Sequence, residues 1–270
     1  MWPPGSRLPL PALATLASAV LVGGCGGGDD QLRWSWSQRN SILEIAYGRG
    51  EDFPQYAALH LDSSYFRLIP TRDSGWGTSV VLMPALWEGG QYYQGAPVTL
   101  GLIGEVRGIL YVGVTGTIRG IAVSELLTIQ PPASGTIRAS VAATATGSAQ
   151  LDDRPGEAFK PVMLSSMHVD GTRWDAEAVL VDGTETPLVT QGWLLSPPAS
   201  GHAFGLKGGS SAWKTNAPTV LIEWPQSTQV TGWIASSTDP NDDNLGLWTA
   251  TDHVLAEWAY TVVVGSTAGA

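Results

Sequence analysis

Cysteine is nearly missing from this chain: Cys25 is the single one in 270 residues. With no second thiol there is no intrachain disulfide, so stability must come from a packed core. A body of roughly 240 residues is large enough to bury one. Lysine is scarce as well, present only as Lys160, Lys207 and Lys214. The 14 basic residues against 24 acidic ones leave a net charge of −10. A surface this acidic is repelled by phosphate backbones and anionic lipid headgroups, which argues against nucleic acid as a partner. No long stretch carries apolar residues at helical spacing. There is no GxSxG elbow, no HExxH, no phosphate-cradling glycine loop and no GxGxxG after a strand. The four histidines, at 60, 168, 202 and 253, share no spacing that suggests a metal.

What is present begins with the leader. One arginine, Arg7, precedes about 17 mostly apolar residues, too few and too marked by proline for a membrane span. A charged start, an apolar middle and small residues before a cut describe a secretory signal. The segment Leu21-Val22-Gly23-Gly24-Cys25 resembles the lipobox of bacterial lipoproteins. That resemblance implies cleavage before Cys25, acylation of its thiol and attachment to a membrane on the extracytoplasmic face of the cell envelope. Residues 1–24 are then the signal peptide. Residues 25–33, with the tract Gly26-Gly27-Gly28-Asp29-Asp30-Gln31, are the anchor and a flexible tether.

From 34 to 266 the chain shows short alternating stretches bounded by glycine, proline and aspartate, the pattern of a sandwich or barrel. Strands are predicted at 42–48, 56–62, 64–69, 78–83, 98–104, 108–118, 124–129, 136–150, 218–224, 229–237 and 257–265. In 136–150, Ile137, Ala139, Val141, Ala143 and Ala145 face one way and Arg138, Ser140, Thr144 and Thr146 the other. The expectation is an all-β protein: one large antiparallel β-sandwich, jelly-roll or supersandwich-like. Pro131-Pro132-Ala133-Ser134-Gly135 recurs as Pro197-Pro198-Ala199-Ser200-Gly201. The flanks do not align, so these are read as two loops with shared turn chemistry, not a duplicated domain.

The stretch "HVDGTRWDAEAVLVDGTET" carries Asp-Gly at 170–171 and at 182–183. Asp-Gly between alternating residues is a strong hairpin signal, because both turn positions need positive φ. A three-stranded meander follows, at 161–169, 172–181 and 184–191. Its register pairs His168 with Arg173, and across the second turn Ala176 with Val189 and Glu177 with Leu188. One face then holds Met163, Met167, Trp174, Ala176, Ala178, Leu180 and Val189. The opposite, polar face holds His168, Arg173, Asp175 and Glu177. Asp175 and Glu177 stand about 6.5–7 Å apart at Cα on one strand. That spacing suits the paired carboxylates of a glycosidase, with His168 and Arg173 placed to move a proton or hold a charge.

Tryptophan is abundant: twelve in all, and only Trp2 belongs to the leader. Indole faces cover the C–H faces of sugars while the N–H bonds to hydroxyls. Most such rings fill cores, so the ligand candidates are those in glycine-rich loops. These are Trp76 in "DSGWGTS", Trp87 with Tyr92 and Tyr93 in "ALWEGGQYYQG", and Trp213 in "KGGSSAWKTN". In "STDPNDDNLG", Asp239, Asn241 and Asp243 have the alternate spacing of calcium ligands. An EF-hand is excluded, because Asn244 and Ala250 stand where its glycine and glutamate belong. Calcium in a sandwich loop is the one cofactor this reading admits.

The leading expectation is a surface-anchored lipoprotein that binds polysaccharide through loop aromatics. A carbohydrate-active enzyme of glycosidase or lyase type, using the acidic face, is the alternative. A structural envelope protein without a small ligand is the third. Whether the chain catalyses anything stays open at this point.

Overall fold

A computed structural model describes residues 31–52, 54–68, 77–81, 85–88, 91–93, 97–133, 136–147, 158–167, 176–187, 191–200, 202–208, 219–236, 245–251 and 257–265. The described residues form strands and turns, without a helix among them. Every strand pair is antiparallel, and the strands make two large sheets, the β-sandwich that the alternation predicts.

The chain first lays down a meander: β1 (Arg33–Arg39), β2 (Ile42–Gly48), β3 (Gln55–His60), β4 (Tyr65–Leu68) and β5 (Gly77–Val81). A hairpin of β6 (Ala85–Glu88) and β7 (Gln91–Tyr93) hangs from the same sheet. A second meander opens the other sheet: β8 (Val98–Val106), β9 (Ile109–Ile118), β10 (Ile121–Ile129) and β11 (Ile137–Gly147). From there the chain shuttles. β12 (Ala158–Met167) returns to the first sheet, and β13 (Ala176–Val181) with β14 (Thr184–Pro187) goes to the second. β15 (Gln191–Ser200) lies in the first, β16 (Ala203–Gly208) and β17 (Thr219–Glu223) in the second. β18 (Gln229–Ser236) and β19 (Leu245–Thr251) rejoin the first, and β20 (Glu257–Gly265) closes the second between β17 and β11.

Three hairpin turns share one device. Arg107-Gly108, Arg119-Gly120 and Asp182-Gly183 all have positive φ at both positions, from 50° to 80°. That is the type I′ geometry, which matches the right-handed twist of the strands it joins. Only the Asp-Gly pair announces itself in sequence. The two Arg-Gly turns place a residue with a Cβ in the left-handed region, a strain the flanking ladders override.

The core forms as a single apolar cluster fed by both sheets. Leu43 and Ile45 of β2, Leu59 of β3 and Phe66 of β4 come from the first. Leu110, Val112 and Val114 of β9, Ile121, Val123, Leu127 and Ile129 of β10, and Val262 and Val264 of β20 come from the second. The inner face of β11 is the one that alternation predicts: Ile137, Ala139, Val141, Ala143 and Ala145 are all buried. Each large side chain sealed in this way contributes about 1.5–3 kcal/mol. The sheets also meet through Trp34, whose indole Nε1 donates to the Gly108 carbonyl at 2.8 Å. At Gly232 of β18 a Cβ would lie 2.7 Å from Phe204 Cδ1 of β16, so backbone and ring pack directly across the interface.

Three sequence expectations are corrected. The three-stranded meander does not form, because β12 and β13 belong to different sheets. The edges of β12 are taken by β19 on one side and by β5 and β6 on the other. The second hairpin does form, in the expected register: Ala178 faces Pro187, Val179 faces Thr186 and Leu180 faces Glu185. However, Ala178, Val179 and Leu180 are buried in succession, so this part of β13 is covered on both faces instead of presenting one to water. The repeated Pro-Pro-Ala-Ser segments also differ. The first ends in a bridge of Ala133 to Thr136, whereas Pro197–Ser200 completes β15, where the register against β18 shifts between Leu195 and Ala199. Proline lacks the N–H that a ladder needs, and a shifted edge strand is where it is tolerated.

The close approach at Gly232 gives a test. Gly232→Ala is expected to destabilise the fold by about 1–3 kcal/mol through overpacking. Phe204→Leu in the same chain should recover part of that loss, read as denaturation midpoints across a double-mutant cycle.

Candidate functional site

The candidates read from sequence are distributed unevenly. Cys25, Trp76, His168, Arg173, Asp175, Trp213, Asp239, Asn241 and Asp243 lie outside the described residues. Glu177 is the second residue of β13, five positions before the hairpin turn at 182–183. The polar face that joined it to His168 and Arg173 was drawn on a β12–β13 pairing that the chain does not make. Among the described residues no group of three or more His, Cys, Asp or Glu gathers as a metal site.

Trp87, Tyr92 and Tyr93 are not in a loop. They belong to the β6–β7 hairpin, whose ladder pairs Trp87 with Tyr92, Leu86 with Tyr93 and Glu88 with Gln91. The glycines at 89 and 90 sit between the strands, and they misled the sequence reading by resembling a longer glycine-rich loop. β6 in turn pairs with the start of β12, with Trp87 opposite Ala158. Two aromatic residues are therefore direct neighbours on a ladder that continues into the main sheet.

A group that the sequence reading missed lies inside the sandwich. Glu125 occupies an inward position of β10, between Val123 and Leu127, and is 2% exposed. Neither carboxyl oxygen has a hydrogen-bond partner. Its ladder neighbours are Val114 on β9 and Ala143 on β11, and Ala143 in turn faces Trp258 on β20. Tyr260, two residues on, is also buried, with its hydroxyl unpartnered. Its ring lies 5.3 Å from that of Trp224, centroid to centroid. Burial pushes the Glu125 carboxyl well above the usual range. Burial, and then the Glu125 charge, push the Tyr260 hydroxyl up. The signal was in the sequence: in "IAVSELLTI" the alternate residues read Ile, Val, Glu, Leu, Ile.

Two further polar groups are more open. At one end of the sandwich the Trp34 ring packs 4.8 Å from Tyr47, and Tyr47 packs 6.2 Å from Tyr56. Both tyrosines are half-buried. Burial first, then Tyr47 and Asp52, raise the Tyr56 hydroxyl. At the β13–β14 turn, Asp182 Oδ2 meets His202 Nδ1 at 2.5 Å, and Asp182 Oδ1 accepts from the Ala203 N–H at 2.9 Å. With the Asp182 N–H donating to the Ala203 carbonyl at 2.9 Å, this clamps the turn to the start of β16.

Comparison with known proteins adds little to this geometry. No family profile matches the chain, and no curated protein matches it. Among solved structures it is similar to a galactose mutarotase related enzyme from Lactobacillus acidophilus. The two share 7% identity and a TM-score of 0.39, over 86% of this chain and 97% of that one.

The interior acid makes stability depend on pH. Its folded-state pKa is raised, so its proton is held more tightly in the folded chain than in the unfolded one. The stabilisation is fully present below the unfolded pKa of about 4.5. It is lost as pH rises toward the folded value, with a slope of at most about 1.4 kcal/mol per pH unit. Glu125→Gln is expected to remove that slope and to be more stable than the parent above neutrality. Urea unfolding at stepped pH values checks this, and parallel curves for the two proteins would contradict it.

Proposed function

We propose that this chain is an extracytoplasmic lipoprotein, held to a membrane through acylated Cys25, whose sandwich binds a neutral carbohydrate. The observation that carries the binding half is the β6–β7 register, which makes Trp87 and Tyr92 cross-strand partners. Directly opposed residues on an antiparallel ladder are close enough to act as a pair. Cross-strand Trp and Tyr are residue types that stack on sugar rings, and the same hairpin pairs Glu88 with Gln91. Trp76, Tyr93 and Trp213 remain the further aromatic candidates of this reading.

The composition supports the same choice of ligand. A chain of net charge −10 repels polyanions, so neutral polysaccharide is favoured over acidic glycans. The lipobox and the glycine tether support the anchor, and with it a location on the extracytoplasmic face of the envelope.

Isothermal titration of the full chain against neutral cell-wall and plant polysaccharides tests the binding half. Trp87→Ala with Tyr92→Ala is expected to weaken binding by about tenfold to a hundredfold, the factor that ~1.5–3 kcal/mol commands. The circular-dichroism spectrum should stay that of a β-protein. Flat titrations throughout, with a protein partner co-purifying from membranes, would favour a structural envelope role instead.

A further inference from the structure

The described surface carries two large apolar side chains that stand well out in water: Leu32, 60% exposed, and Val106, 57% exposed. They are 74 positions apart in sequence, yet the fold brings them to one end. Trp34, two residues after Leu32, donates its backbone N–H to Glu105 Oε2 at 3.3 Å. Its indole Nε1 donates to the carbonyl of Gly108 at 2.8 Å. Val106 is the residue after Glu105 and the last of β8, and it opens the turn through Arg107 and Gly108 to β9. Leu32 is about 7 Å along the strand from Trp34, and Val106 about 3.8 Å from Glu105. Both therefore flank the seam where β1 meets the β8–β9 turn.

This is also the end where the tether enters. Cys25 precedes Leu32 by seven residues, a separation that can span at most about 25 Å. A chain acylated at Cys25 thus holds this end of the sandwich at the lipid surface and keeps the opposite end away. Arg107 is exposed beside Val106, and Arg33 is half-buried beside Leu32. A long exposed basic side chain such as Arg107 lies along apolar surface with its charge at the headgroup level. The rest of the body is acidic and gains nothing from approaching anionic lipid.

We propose that Leu32 and Val106, flanked by Arg33 and Arg107, form a membrane-docking edge that inserts into the lipid interface and orients the sandwich on its anchor. The inference rests on the anchor reading of Cys25 given above. It assigns to the β1 and β8–β9 end a contact with lipid, and leaves the opposite end, at the β9–β10 turn, pointing into the aqueous space.

The test uses the full acylated chain reconstituted into phosphatidylcholine vesicles, with acylation read by mass spectrometry. Val106→Cys is labelled with an environment-sensitive fluorophore; a lipidated Cys25 presents no free thiol to compete. The control label is Arg119→Cys, at the far end of β9, roughly 33 Å away along a ten-residue strand. The expected result is a blue shift at 106 on reconstitution, with quenching by headgroup-level lipid quenchers, and neither effect at 119. Leu32→Ser should reduce the shift at 106. An acylated protein whose label at 106 stays in water overturns the docking edge and leaves the anchor standing. Equal shifts at 106 and 119 also overturn it. A chain that is not acylated overturns the anchor and the docking edge together.

Discussion

Each sheet of this protein has one face that cannot be left in water, and among the described residues it is the other sheet that covers it. There is no disulfide to hold the chain while the two faces find each other, and no described helix to cover either. Sheet-on-sheet burial is thus the term from which the other features follow. It explains why β11 lines its inner side with alanine and valine, and why Gly232 leaves room for the Phe204 ring. It also explains why the seam at β1 is fastened by an indole hydrogen bond to a turn of the opposite sheet.

The same burial makes Glu125 the most conspicuous departure from the pattern. An acid among Val123, Leu127, Val114 and Ala143 weakens the core it sits in, since removing a carboxylate from water without a partner is costly. Burial alone raises its carboxyl well above the usual range, which favours the protonated form. Local rules are broken most often where a protein has a use for the breach, which marks Glu125 and Tyr260 as the interior positions to watch.

Strand existence was legible in the sequence; strand partnership was not. β2 and β20 begin and end where alternation places them, and the inner face of β11 was readable residue by residue. β1, β15, β16 and β19 escaped notice because glycine, proline or serine break their pattern, and pairing with a neighbour makes good what local preference lacks. The two Asp-Gly pairs show the limit most clearly. One sits in a hairpin turn with both φ angles positive, while the strands on either side of the other lie in different sheets. The difference lies in distant competitors: β5, β6 and β19 take the edges of β12, and no window of ten residues holds that information. The site suffered in proportion. An acidic face inferred from a local hairpin lost its geometry, whereas the Trp87–Tyr92 pairing arose where two glycines had been read as part of a loop.

The position of β20 sets a clock on the molecule. The last of the described strands is wedged in the middle of the second sheet, its two ladders reaching back to β17 and to β11. Until residues 257–265 are free, the half made of β8–β11 and the half made of β13, β14, β16 and β17 have nothing to join them, and long-range closure of this kind is slow. On the export reading proposed above, such tardiness would keep the polypeptide pliable while it is threaded through a translocation channel.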